Sequence, residues 1–256
     1  MIRVGVIGAT GRVGTEVSRA VHAAPDLELV AGISQSKAGA KASEALGLEG
    51  SGLVLAENLD VFPEAGVEVA VDFTKGEFAP EHVAWAIEHS VHIVVGTTGF
   101  EVDEAWRDAP VGVVVAPNFA IGAVLMQRFA VEAAKHLPAV EIVELHHDGK
   151  ADAPSGTAAA TADAVAAARG EAWEGPAQES LPGVRGGDRS GIRIHSIRLP
   201  GLLAHQEVIL GGQGQTLTIR HDSTDRTSFV PGVLLAIRWV PAHPGLTVGL
   251  GPILDG

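Results

Sequence analysis

With 256 residues, 46% of them hydrophobic, the chain can bury a full core in one large or two modest domains, which excludes a disordered protein. Its 31 acidic residues against 18 basic ones give a formal charge of −13 with no block of Lys or Arg, which argues against a nucleic acid or an anionic membrane as partner and leaves anionic small molecules open. The absence of cysteine excludes disulfides, thiolate metal sites and a cysteine nucleophile, and it fits a reducing, cytoplasmic setting.

The chain opens with a β-rich run, Ile2 to Ile7, followed at once by Gly8-Ala9-Thr10-Gly11-Arg12-Val13-Gly14 and an amphipathic segment to about Ala24. Glycines and Arg12 interrupt the run too early for a signal peptide. The pattern predicts strand, glycine turn and helix. Its GxxGxxG spacing departs from the common GxGxxG fingerprint at the second and third glycines, but the physical logic holds. Gly8 permits a tight turn, Gly11 lets the backbone approach a pyrophosphate, and the helix N-terminus faces that charge. A close-packed turn that binds no nucleotide would read the same way. Leu27 to Ile33 is the next strand, and Ser34-Gln35-Ser36-Lys37 stands where an adenosine ribose is met. A carboxylate there would bind both ribose hydroxyls and repel a 2′-phosphate. Its absence, with Lys37 and Lys41 near, leans toward NADPH or tolerance of NADH as well; solvated loop residues are the plainer alternative.

Further strands are predicted at Glu68 to Phe73, His92 to Val95 and Gly112 to Ala116, with helical segments near 79–90 and 102–108. Strands alternating with helices predict a doubly wound parallel sheet. Three strand ends, Asp72-Phe73-Thr74, Gly96-Thr97-Thr98-Gly99-Phe100 and Ala116-Pro117-Asn118-Phe119, fall where an open α/β sheet binds its ligand. The apolar stretch from Val111 to Met126 is broken by Pro117 and Asn118 into a strand and a helix, each too short to span a bilayer.

A helix from Ile121 to about Leu137 precedes a change of texture. A strand through Val140 and Ile142 runs out at Glu144-Leu145-His146-His147-Asp148-Gly149-Lys150-Ala151-Asp152-Ala153-Pro154-Ser155-Gly156-Thr157, and an Ala-rich helix follows. This stretch joins proton donors, a fixed cation and a helix start, and it is read as the active site. Ser155 is the candidate N-cap, and a helix end at Ser155 to Thr157 suits a carboxylate. After a polar stretch from Gly170 to Gly191 come strands at Ile192 to Leu199, Leu202 to Leu210 and Gln215 to Arg220. Their short connections predict antiparallel neighbours. A sheet face left to be covered suggests a homo-oligomer. A last helix, about Ser228 to Val240 with Pro231 in its first turn, is expected to return to the first domain.

These motifs together resemble the 4-hydroxy-tetrahydrodipicolinate reductase (dihydrodipicolinate reductase) family over nearly the whole chain, most specifically in Glu144 to Thr157. The resemblance implies a Rossmann-like doubly wound parallel sheet in residues 1–118 and 228–256. An α+β substrate-binding and oligomerisation domain with a mixed, largely antiparallel sheet would occupy 119–227, in a homotetramer. It implies NAD(P)H-dependent reduction of 4-hydroxy-2,3,4,5-tetrahydrodipicolinate to tetrahydrodipicolinate with loss of water, in the diaminopimelate route to lysine. Cofactor contacts would come from Gly8, Ala9, Thr10, Gly11, Arg12, Val13, Ser34, Gly96, Thr97, Thr98, Ala116, Pro117, Asn118 and Phe119. His146 and Lys150 would handle protons, and His147, Ser155, Gly156 and Thr157 would hold substrate carboxylates. Two departures stand out: Asp148-Gly149 replaces bulkier or basic residues, and Ser34 stands where NADH-using members often carry an acid.

Rival readings are a reductase of an amino-acid semialdehyde or of aspartate, and a redox sensor that binds NADP without turnover. Hydrolysis fits poorly because Ser155 lacks a GxSxG setting. His146, His147, Asp148 and Asp152 match no standard metal-ligand spacing, so no metal is expected.

Overall fold

The computed structural model describes residues 1–171, 173–175 and 178–256; Ala172, Pro176 and Ala177, within the predicted polar stretch, lie outside it. The elements run β1 (Ile2–Ile7), α1 (Arg12–Ala23), β2 (Leu27–Ile33), α2 (Ala42–Ala45), α3 (Val61–Ala65), β3 (Val69–Asp72), α4 (Ala79–Glu88), β4 (His92–Val95) and β5 (Gly112–Val115). Then come α5 (Ile121–Ala134), β6 (Ala139–His146), α6 (Gly156–Ala168), β7 (Gly187–Arg189), β8 (Ile192–Arg198), β9 (Ala204–Gly212) and β10 (Gln215–Ser223). Last are α7 (Val230–Trp239), β11 (Gly245–Val248) and α8 (Gly251–Asp255). The chain forms two compact units, Met1–Ile121 with Arg226–Gly256, and Gly122–Asp225.

The first unit is built on a six-stranded parallel sheet in the order β11-β5-β4-β3-β1-β2. Every residue of β3 and β5 is buried, Val69, Ala70 and Val71 and the Gly112–Val115 run as apolar residues of strands covered on both faces, and Asp72 as the one charged exception. The strand order reverses at β1, so the ends of β1 and β3 flank the switch point where such sheets bind ligands. Two glycines shape that point. Gly8 has φ 78°, and a Cβ on Gly14 would sit 2.1 Å from the Gly8 carbonyl oxygen, so α1 reaches the turn only because Gly14 has no side chain. At the far end of the chain, Arg238 of α7 forks onto Asp26 at 2.7 and 2.9 Å. The segment expected to be helical near 102–108 is a short 3₁₀ helix, Glu104–Asp108, capped by Asp103. The edge strand β11 lies beyond the predicted elements.

The second unit holds a five-stranded mixed sheet in the order β10-β9-β6-β8-β7. Alternation decides its faces. Val140, Ile142, Ile192, Ile194, Val208 and Leu210 form a core with Ala130 and Ala134 of α5 and Ala158, Ala162 and Val165 of α6. The strands β9 and β10 are antiparallel neighbours as expected. The expectation for β8 and β9 is overturned: β6 lies between them, parallel to β8 and antiparallel to β9. Leu199 to Leu203 therefore spans two inter-strand gaps, roughly 10 Å, which five residues cover easily. This connection wraps the end of β6: Leu199 N–H donates to the His146 carbonyl at 3.1 Å and His147 N–H to the Leu203 carbonyl at 3.4 Å.

Candidate active site

In the first unit, a cleft of about 590 Å³ at the switch point is lined by Gly8, Thr10, Ser34, Gln35, Ser36, Thr74 and His82 among others. A smaller hollow of about 290 Å³ is lined by Arg12, Val13, Phe73, Thr74, Gly96, Thr97 and Thr98. Thus the glycine turn, Ser34 and the end of β4 come together as the sequence arranges them. Ser34 is buried, and its hydroxyl shares a 2.6 Å bond with Thr10. Ala9, Ala116 and Phe119 are buried as well, with Phe119 against Phe73, so what these three offer a ligand is backbone. Asn118 closes its own turn by accepting from Ala120 N–H at 2.9 Å, and Pro117 is exposed.

Beneath the turn after β3 lies Asp72, wholly buried. Its Oδ1 accepts from Thr74 N–H at 2.8 Å, Thr74 Oγ1 at 2.7 Å and Thr97 Oγ1 at 2.9 Å, while Oδ2 faces His82 Nδ1 at 2.7 Å. Burial pushes this carboxyl's pKa up, but the bonds from His82 and Thr74 outweigh it and hold it below the ordinary value. The Thr97 hydroxyl is therefore committed to supporting the cleft floor. A dinucleotide fits this setting: a glycine turn that side chains would fill, and a first helix whose Gly11 cap brings no side chain to the end facing the turn.

In the second unit, Glu144 and His146 stand two residues apart on β6 and so share a face. His146 Nδ1–H donates to Glu144 Oε2 at 2.5 Å. Arg198, paired with His146 in the β6–β8 register, forks onto the same carboxylate at 2.9 and 2.8 Å. Glu144 has no exposed surface. Burial alone would raise its pKa; hydrogen bonds from His146, Arg198 and Ser196 overcome that and bring it down to about 2.

The loop after β6 folds over this pair and turns through a cis Ala153–Pro154 bond. Lys150 Nζ lies 2.7 Å from Asp152 Oδ1, with Lys150 half-buried and Asp152 exposed. That bond, opposed by slight burial, lowers the Asp152 pKa. Ser155 caps α6 as expected, its Oγ accepting from Ala158 N–H at 3.1 Å, while Ser155 N–H donates to Glu144 Oε1 at 3.3 Å. Its hydroxyl is thus held by the helix. Gly156 opens α6 and faces open space. His147 follows the strand end, with the wrapping connection holding its N–H. Among the described residues, no group of three or more His, Cys, Asp or Glu is placed to hold a metal ion, and no helix is long and apolar enough to cross a membrane.

Sequence reasoning assigned no role to Glu144 or Arg198. For Glu144 the signal was present, a carboxylate two residues before a histidine on an alternating strand. Arg198 depends on a long-range register that no local pattern reports.

A ligand cleft at the switch point of a parallel sheet, joined in one chain to a sheet bearing a histidine–lysine loop, defines the class: a two-unit dinucleotide-dependent oxidoreductase. Family models sharpen this, with "Dihydrodipicolinate reductase, N-terminus" matching residues 2–119 and "Dihydrodipicolinate reductase, C-terminus" matching 122–254. The 4-hydroxy-tetrahydrodipicolinate reductases of Nocardia farcinica and Mycolicibacterium smegmatis are each 50% identical to this chain, over 99% of both sequences. A solved dipicolinate-bound dihydrodipicolinate reductase from Paenisporosarcina sp. TG-14 superposes with a TM-score of 0.87 at 41% identity, covering 99% of each chain. The chain belongs to the dihydrodipicolinate reductase family, whose reductases use NAD(P)H.

Proposed function

We propose that this chain reduces 4-hydroxy-2,3,4,5-tetrahydrodipicolinate to tetrahydrodipicolinate, with NAD(P)H as reductant and loss of water, in the diaminopimelate route to lysine. The observation that carries this is the Glu144 to Thr157 stretch, folded so that a buried carboxylate holds His146 at a strand end and Lys150 and the start of α6 follow on one loop. The cofactor, when bound, supplies hydride; Gly8 to Val13, Ser34, Gly96 to Thr98 and Ala116 to Phe119 are the residues that would hold it. His146 and Lys150 handle the proton, and His147 with Ser155, Gly156 and Thr157 receives the substrate carboxylates. A positioned general acid contributes roughly 10²- to 10⁴-fold.

Both cofactors are accepted in this reading, with NADPH favoured. Support comes from the lack of a carboxylate at the end of β2, where Ser34 stands with exposed Lys37 nearby. Glu57 and Asp60 on the same cleft oppose a 2′-phosphate, which keeps NADH in use. A homotetramer is supported by the face of the second sheet opposite α5 and α6, where Val143, Leu145, Ile197 and Ile209 are only half-buried. The cytoplasm is the proposed compartment, on the cysteine-free composition.

Absorbance at the nicotinamide band, with substrate made in place from pyruvate and aspartate semialdehyde by the preceding synthase, tests the reaction. Oxidation that depends on the synthase is expected, and its absence with cofactor still bound would defeat the assignment. The NADPH to NADH ratio of kcat/KM, before and after Lys37→Ala, tests the preference, and sedimentation equilibrium tests the tetramer.

A further inference from the structure

The Glu144 carboxylate is ringed by donors: two Arg198 N–H groups, the Ser155 N–H and His146 Nδ1, with the Ser196 hydroxyl beside them. Arg198 places one guanidinium N–H on each oxygen and Ser155 adds a backbone N–H, a set that suits an ionised group able only to accept. His146 must then carry a proton on Nδ1, which leaves Nε2 as the nitrogen that gains and loses one. The same Arg198 reaches further. Its Nε donates to the Lys150 carbonyl at 3.3 Å and its Nη2 to the Asp152 carbonyl at 2.5 Å. One buried ion pair therefore touches the His146 ring, the backbone of Lys150, the turn before α6 and the α6 cap residue.

We propose that Glu144 is a positioning residue for the reduction: it fixes the His146 ring with Nδ1 protonated so that Nε2 delivers the substrate's proton, and through Arg198 it sets the backbone that carries Lys150. This rests on the reading of His146 as proton donor. Loss of water removes the substrate hydroxyl and a neighbouring ring hydrogen and leaves a conjugated π system. Hydride adds at one end of a π bond, and the displaced π pair takes the proton from Nε2. The N–H bond breaks, its electron pair stays on Nε2, Nδ1–H remains on Glu144, and a solvent proton restores the imidazolium. An amide at position 144 turns an N–H toward Nδ1 and favours the opposite tautomer, which leaves a proton on Nε2 that neutral imidazole does not readily give up.

Two measurements decide this. In wild-type protein labelled with ¹⁵N-histidine, with the His146 signals assigned by their loss in His146→Asn, neutral His146 is expected to carry its proton on Nδ1. A proton on Nε2 instead would overturn the proposal, and this readout needs no folded Glu144 variant. In Glu144→Gln, kcat is expected to fall by ~10² or more, with KM and cofactor affinity held. A folded variant with unchanged kcat, or one that loses only KM, would overturn it. The two levels separate cleanly: His146→Asn with full turnover sinks the reading of His146 itself, whereas an inactive His146→Asn beside a fully active Glu144→Gln sinks only the role of Glu144.

Discussion

Replacing Gly14 by Ala sets two effects of opposite sign against each other. Ala is the better helix former by about 1 kcal/mol, and Gly14 lies in α1, so propensity alone predicts stabilisation. The added Cβ, however, would lie 2.1 Å from the Gly8 carbonyl oxygen and 2.9 Å from its carbon. Both atoms are backbone in a turn whose own φ of 78° leaves little room to move. Relief requires α1 to back away from the turn, and forced rearrangement of this kind costs about 1–3 kcal/mol. The net expectation is a loss centred on about 1 kcal/mol, which lowers the melting temperature of the first unit by about 2–4 °C. Three of the four tryptophans, Trp85, Trp106 and Trp239, belong to that unit and Trp173 to the other, so tryptophan fluorescence in a Trp173→Phe background follows its unfolding. Because the displaced helix end and turn are the proposed cofactor cradle, titration should also show weaker NADPH binding. A melting temperature equal to or above wild type, with unchanged affinity, would refute the reasoning.

The remaining expectations concern charge. The Glu144 pKa is depressed from 4.5 to about 2, so its contribution of about 3 kcal/mol is full above pH 4.5 and lost as pH falls toward 2. Urea melts of wild type and Glu144→Gln should therefore converge across that window, and a gap constant with pH would remove Glu144 as the titrating group. Asp72→Asn keeps the shape but loses the charge that gathers three donors on Oδ1, at a cost of about 1–3 kcal/mol. Weaker cofactor binding should accompany the lower melting temperature, and normal affinity would show that the turn holds itself. Asp152→Asn breaks an exposed pair and should cost less than about 1 kcal/mol; a larger loss by denaturant melt would mean that the pair organises the loop.

What was legible in the sequence was local. The glycine turn, the apolar runs of β1 to β5 and the Ser155 cap each reside in a few consecutive residues whose physics needs no distant partner. What failed was pairing. Pro200-Gly201 between two β-rich runs looks like a hairpin, and nothing nearby reveals that β6, some 50 residues earlier in the chain, inserts between them. The same insertion brings Arg198 beside His146, so the residue that anchors the loop was hidden by the same long-range register. The strand β11 was obscured for another reason. Its four residues, Gly245–Val248, follow Pro241 and Pro244, which read as loop, and an edge strand tolerates such company.

The two ion pairs of the loop differ in a way that bears on how it works. Glu144 is buried and Arg198 partly so, at 0% and 17% side-chain exposure, whereas Lys150 and Asp152 stand at 23% and 57%. Stability does not account for the first pair, since apolar groups of similar volume commonly serve as well or better. Its desolvation makes it hard to break once formed, because removing either partner strands a charge, at a cost of about 3–5 kcal/mol. A group that must present one nitrogen of an imidazole in one direction needs such a partner. The second pair is the opposite case: an exposed contact exchanges at little cost, so in the proposed reaction Lys150 would leave Asp152 to handle a proton while its backbone stays fixed by Arg198. Rigid below and exchangeable above, the proposed arrangement would free the Lys150 ammonium without losing the orientation of His146.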